Sequence, residues 1–274
     1  MNLDALFHNP EEKPLEYFPS DGGFTGIFRT IACVGDSLSS GEFVSVTEEG
    51  KKSWHDMYDY SWGQYIARIA GCKVYNFSRG GMSSKEYMES FAEQRDFWNP
   101  EKKAQAYIIA LGVNDIINDR KELGSTADID LSDWRNNKKN FAGYYAQIIQ
   151  RYKEIEPHAR FFLMTMPHDR GENEELIRLG DAHSALLYDL ADLFPHTYVI
   201  DLRKYAPAYD EKFQELFYLF DHLNPMGYLL TARMTVSYID YIIRHNMKDF
   251  IQAGFIGTEF YMDRFDKKET TYEA

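Results

Sequence analysis

The chain has 274 residues, with 43 acidic side chains against 30 basic ones and a formal net charge of -13. That balance argues against a nucleic-acid partner, which would require clustered Lys and Arg to neutralise phosphates, and suits a soluble protein. Cys33 and Cys72 form neither a CxxC pair nor a disulfide framework. No apolar run approaches the roughly 20 residues of a membrane span, so no membrane partner is expected.

The first residues, Met1 to His8, lack a basic region followed by an apolar core, so a cytoplasmic location is the expectation. Residues 1–29 carry Pro10, Pro14 and Pro19 with Gly22, Gly23 and Gly26, and show no strand or helix period. They read as an irregular arm packed on the domain. From Thr30 onward, short apolar runs alternate with long amphipathic stretches, as in a βαβ series.

Strands are expected at 31–34, 73–76, 107–111, 161–166 and 198–200, and helices at 59–70, 84–97, 133–154, 174–193 and 225–246. Ser132 and Asn173 stand where N-caps belong. Right-handed crossovers would place helices on both faces of a five-stranded parallel sheet. The fold class is therefore α/β, a three-layer α/β/α sandwich of flavodoxin-like topology. We expect a single domain over 1–274, with the arm at about 1–29 and a tail at about 248–274. The acidic end, Lys267 to Ala274, is expected to fray.

Two connections, 41–60 and 113–132, are longer than βα loops usually are. The first contains Phe43, Trp54, His55, Tyr58 and Tyr60, which could line a cleft or simply pack the loop. The acidic run from Asp128 to Asp133 lacks the glycine and terminal glutamate of a calcium loop, and no His or Cys pairs suggest zinc, so no metal and no cofactor are expected.

The first strand delivers Gly35-Asp36-Ser37-Leu38-Ser39, the second is followed by Gly80-Gly81, the third by Gly112-Val113-Asn114-Asp115, and His222 precedes the last helix. In open α/β sheets the chemistry gathers past the carboxyl ends of the strands. Acyl transfer requires a hydroxyl, a base for its proton, and donors aimed at a developing oxyanion.

These blocks, with Asn76 to Gly81 and His222-Leu223-Asn224-Pro225-Met226-Gly227, resemble those of the GDSL/SGNH hydrolase family over about residues 31–228. The resemblance implies an esterase-like serine hydrolase in which Ser37 is the nucleophile and His222 the general base. It places the oxyanion hole at the backbone N–H groups of Ser37 and Gly81 and the side-chain amide of Asn114. The implied partner is a small-molecule ester, such as O-acetyl groups on carbohydrates by analogy.

The family keeps an aspartate three residues before its histidine, and here that position is Leu219. Asp221 is the nearest carboxylate in sequence, but reaching its neighbour's imidazole would need a turn-like backbone. Otherwise the ring is held by a main-chain carbonyl, a water, or a carboxylate from elsewhere. Two other readings stand beside the hydrolase. One is a flavin or phosphate binder using the Ser37 to Gly41 turn as a cradle. The other is a degenerate hydrolase that binds ligand without turnover.

Overall fold

The structure is a computed structural model describing residues 9–263. The first eight residues and the acidic end from Lys267 lie outside the described residues.

The chain builds β1 (Thr30–Gly35), α1 (Ser37–Ser40), β2 (Glu42–Val46), β3 (Lys52–Asp56), α2 (Trp62–Ala70) and β4 (Lys73–Ser78). Next comes α3 (84–94), an α-helical stretch interrupted by a π turn at Tyr87–Phe91. It is followed by β5 (Ala106–Ala110), α4 (Phe141–Ile155), β6 (Arg160–Met164), α5 (Glu174–Leu193) and β7 (Thr197–Ile200). The last part holds α6 (Leu202–Tyr205), α7 (Glu211–Phe217), β8 (Tyr218–Leu219), β9 (His222–Leu223), α8 (Pro225–His245) and α9 (Met247–Phe250).

The main sheet has the order β4-β1-β5-β6-β7 with every pairing parallel. This is the flavodoxin-like winding, whose order reverses beside the first strand. Alternation along each strand divides the core between two faces. Ala32, Val34, Tyr107, Ile109, Phe161 and Leu163 pack against α3, α4 and α5. Ile31, Cys33, Ile108, Phe162, Met164 and Ile200 pack against α2, α7 and α8. The expected three-layer sandwich is therefore the observed one, with each strand within about two residues of its expected bounds.

One helix differs. Helix α4 starts at Phe141 behind the N-cap Asn140, not at Asp133 behind Ser132. The polar residues ahead of it satisfy one another: the Asp130 carboxylate accepts from the Ser132 N–H and hydroxyl and from the Asn136 amide. Such local side-chain bonds offer the backbone an alternative to the helix. A second difference lies in the 41–60 connection, which is an antiparallel β2–β3 ribbon.

The arm and the tail pack away from the strand ends that carry the site. The Phe24 N–H donates to Asp240 at 2.7 Å and the Thr25 hydroxyl to the Val236 carbonyl at 3.0 Å, tying the arm to α8. Gln105, just before β5, donates to the carbonyls of Gly254 and Ile256, tying the tail to the opposite edge of the sheet.

Candidate active site

The order reversal lies between β1 and β5, and Ser37 and Asn114 emerge on either side of it. Ser37 is the first residue of α1, directly after the N-cap Asp36. The Asp36 carboxylate accepts from the Leu38 N–H at 3.1 Å, and its main-chain carbonyl accepts from the N–H groups of Ser39 and Ser40. The amides a phosphate would need are thus already engaged, which disfavours a phosphate cradle. Burial raises the Asp36 carboxyl to about 7, against the Leu38 hydrogen bond that lowers it.

After β4 the chain turns at Gly81 with φ +71°, a left-handed conformation that favours glycine. At Gly80 the reason is space: a Cβ there would stand 1.9 Å from Glu42 Oε2.

The Asn114 amide is held at both ends. Its Oδ1 accepts from the Asn118 amide at 2.9 Å, and its Nδ2 donates one hydrogen to the Met82 carbonyl at 3.0 Å, so the second N–H remains for a ligand. Asp115 plays a structural part. Fully buried, it accepts from the Ser84 N–H and hydroxyl and from Lys121, clamping this turn to α3. Behind the turn, the buried His183 lies 3.1 Å from the Leu111 carbonyl, and burial lowers its imidazole to about 4.

His222 is delivered by the β8–β9 hairpin. Asn224 closes that hairpin by donating from its N–H to the Phe217 carbonyl at 2.8 Å. Its side chain also caps α8, accepting from the Gly227 N–H at 3.0 Å. Leu223 is buried in the core, so its neighbour His222 turns the other way.

Asp221 does not hold the imidazole. Its carboxylate lies 2.5 Å from Lys52 Nζ in an exposed ion pair, because the turn at Phe220, φ +60°, aims it at β3. Leu219 pairs across the hairpin with His222 and is 48% exposed. The group against the ring is Glu42, the first residue of β2: its Oε1 lies 3.0 Å from His222 Nε2. Both side chains are largely buried, 13% and 15% exposed. Burial raises the Glu42 carboxyl, helped by Asp56, and lowers the His222 imidazole against the pull of Asp221 and Asp56.

Sequence reasoning missed Glu42. Its only signal was a carboxylate directly after the turn that carries the candidate nucleophile. Of the aromatics in the 41–60 connection, Phe43 packs edge-on against Tyr60 and Tyr228, and the Tyr58 hydroxyl donates to the Val74 carbonyl. Trp54 is left on the ribbon surface, 55% exposed.

Ser37, Gly81, Asn114, His222 and Glu42 line one cleft of about 420 Å³. A smaller, mostly apolar chamber of about 60 Å³ shares Leu38, Val113, Met166, Pro167 and Tyr209 with it and continues toward Trp62. Among the described residues, no group of three His, Cys, Asp or Glu side chains is arranged to hold a metal.

Residues 33–230 match the model of the GDSL-like lipase/acylhydrolase family. The chain belongs to that family. No curated protein matches. Among solved structures, a family two carbohydrate esterase from Clostridium thermocellum superposes with a TM-score of 0.54 at 16% identity, covering 87% of this chain and 66% of that one. A carbohydrate esterase family 2 enzyme with a carbohydrate binding domain, from Corynascus thermopiles, gives 0.54 at 13%, covering 84% and 69%. An acetyl xylan esterase gives 0.50 at 18%, covering 77% and 99%. At these identities the likeness is one of fold, and this GDSL-like chain shares with them the sandwich that carries its cleft. None of its described helices is long and apolar enough to cross a membrane.

Proposed function

We propose that the protein is a serine-dependent carboxylic-ester hydrolase acting on small esters, with O-acetyl groups of carbohydrates as the favoured substrates. The observation that carries this reading is the single cleft lined by Ser37, Gly81, Asn114 and His222. In the reaction Ser37 Oγ bonds to the acyl carbon while His222 takes its proton, and the carbonyl electron pair moves onto oxygen. That oxyanion is received by the N–H groups of Ser37 and Gly81 and by the remaining N–H of Asn114. The imidazolium then protonates the leaving alcohol, and a water molecule activated by His222 releases the acid.

The chamber beside the cleft supports the short acyl group. At about 60 Å³ against 420 Å³ for the cleft, its size suits a short chain better than a long one. The carbohydrate half of the reading rests on the esterases that share the fold.

The test is labelling by a fluorophosphonate, together with hydrolysis of p-nitrophenyl esters of increasing chain length. Wild type labels on Ser37 and prefers acetate, whereas Ser37→Ala and His222→Ala lose turnover by about 10⁴-fold or more, non-additively. Folded wild-type protein that neither labels nor turns over would establish a ligand-binding relative instead.

A further inference from the structure

We propose that Tyr218 and Asp169 form a hydroxyl-binding subsite in the cleft, the phenol donating to and the carboxylate accepting from hydroxyl groups on the alcohol half of the ester. The favoured substrates are then esters of sugars or other polyols that keep free hydroxyls. That these hydroxyls belong to the alcohol half rests on the hydrolase reading, whereas the donor and the acceptor stand on geometry alone.

Three observations carry it. Tyr218 lines the cleft that holds Ser37 and His222, is half-buried, and its hydroxyl makes no hydrogen bond among the described residues. That oxygen is not sealed off, since the buried side-chain oxygens without a partner are those of Ser39, Asn76 and Ser184. Asp169 lines the same cleft; its Oδ1 accepts from the Gln214 amide at 2.8 Å and from the Arg170 N–H at 2.7 Å, while its Oδ2 accepts from no described group. Neither residue lines the small chamber suited to the acyl group, so both stand in the part of the cleft left to the rest of the substrate.

The chemistry of the two groups selects the ligand. A phenol offers a donor and an ionised carboxylate oxygen only accepts, and a hydroxyl group can answer both. Burial raises the Tyr218 phenol above its ordinary value, helped by Asp169 and Tyr209, so it keeps its proton and remains a donor. A carboxylate or phosphate ligand would meet the charge of Asp169. An ammonium would meet Arg170, which lines the same cleft and whose side chain forms no ion pair among the described residues. A neutral ligand rich in hydroxyls avoids both penalties.

Both groups are held before a ligand arrives. Tyr218 stands in the β8–β9 hairpin opposite Leu223, the neighbour of His222. Its ring packs edge-on against Tyr209 at 6.3 Å and Phe213 at 6.4 Å, and those two rings stack on each other at 4.0 Å. Asp169 is bridged to Tyr209: the Tyr209 N–H donates to the His168 carbonyl at 2.7 Å and the Arg170 N–H to the Tyr209 carbonyl at 3.1 Å. The buried Tyr209 therefore braces both, Tyr218 through its ring and Asp169 through its backbone. Groups fixed in advance lose less entropy when they bind. They make and break no bond, so their effect falls on which ester is chosen.

The experiment measures kcat/KM of the full chain on two acetates. One is monoacetylated methyl xyloside, whose leaving alcohol keeps free hydroxyls; the other is p-nitrophenyl acetate, whose leaving phenol has none to spare. The readout is the ratio of the first to the second. Tyr218→Phe, which keeps the ring, lowers that ratio about 3–10-fold, the loss of one neutral hydrogen bond. Asp169→Asn keeps an oxygen for Gln214 but puts a donor where the second oxygen stood, and lowers the ratio about 10-fold or more. Should one variant fail to fold, the other decides. A ratio unchanged in the folded variants overturns the subsite and leaves the hydrolase reading standing. A wild type that hydrolyses neither ester, yet gives saturation transfer to methyl xyloside that is lost in Tyr218→Phe or Asp169→Asn, supports the subsite and overturns the hydrolase reading instead. Neither turnover nor transfer overturns both.

Discussion

Glu42 reaches His222 at 3.0 Å, while Asp221, its immediate neighbour in sequence, is drawn 2.5 Å from Lys52 on the surface. The two carboxylates therefore differ in consequence. Asp221 and Lys52 have half-exposed side chains, 55% and 41%, where an ion pair contributes under about 1 kcal/mol. Asp221→Asn and Lys52→Ala should each shift the urea midpoint only slightly. Fluorophosphonate labelling of Ser37 should change little in either.

Gly80 and Gly81 are adjacent but should fail differently. Gly80→Ala puts a methyl group into the Glu42 carboxylate, so it should displace that side chain from His222 and change the His222 titration. Gly81→Ala meets no atom within 4 Å but must hold φ +71°. That costs about 1–2 kcal/mol in backbone strain and reads as a lowered Tm.

On the hydrolase reading, Asn114→Ala removes one oxyanion donor. Turnover of p-nitrophenyl acetate should fall about 10²–10³-fold with KM little changed, the loss associated with a single such donor. Asn118→Ala leaves that donor in place and frees the amide to rotate, so its loss should be smaller. An Asn114→Ala enzyme with full kcat would remove Asn114 from the oxyanion hole.

The buried Asp36 makes a pH prediction. Its carboxyl is raised from 3.8 to about 7, so between those values the folded protein keeps a proton that the unfolded chain has released. Stability contributed at this site therefore falls as pH rises from about 4 to 7. Asp36→Asn keeps the acceptor for the Leu38 N–H without ionising. Relative to wild type it should gain about 4 kcal/mol between pH 4 and pH 8, measured by urea unfolding at each pH.

His183 titrates in the opposite sense. Its imidazole is lowered to about 4, so the unfolded chain gains a proton first on acidification, and stability falls as pH drops from about 6.5 to 4. A histidine-resolved NMR titration should show His183 neutral at pH 6.

The sandwich was legible because β1 and β5 are continuous apolar runs and the helices between them carry a clear amphipathic pattern. That Ser37, Gly81, Asn114 and His222 share one cleft was legible because each sits within a short motif at a strand end. Helix α4 was misplaced by eight residues because an acidic and amide-rich stretch satisfies its own donors, which composition alone does not reveal. Glu42 was hidden for another reason: its relation to His222 is made by two ribbons meeting in space, β2 and β9, and no spacing along the chain encodes it. Asp221 misled through proximity in sequence, since the left-handed Phe220 turns it outward.

The β8–β9 hairpin pairs only Tyr218 with Leu223 and Leu219 with His222. This short hairpin carries the imidazole, whereas Ser37 opens α1 directly after the central strand β1 and Glu42 opens β2. A local opening of this hairpin would separate His222 from Ser37 and Glu42 in a single step. Amide exchange at His222 and Leu223 would then measure the fraction of molecules whose cleft is assembled at any instant, and on the hydrolase reading that fraction sets the upper limit on turnover.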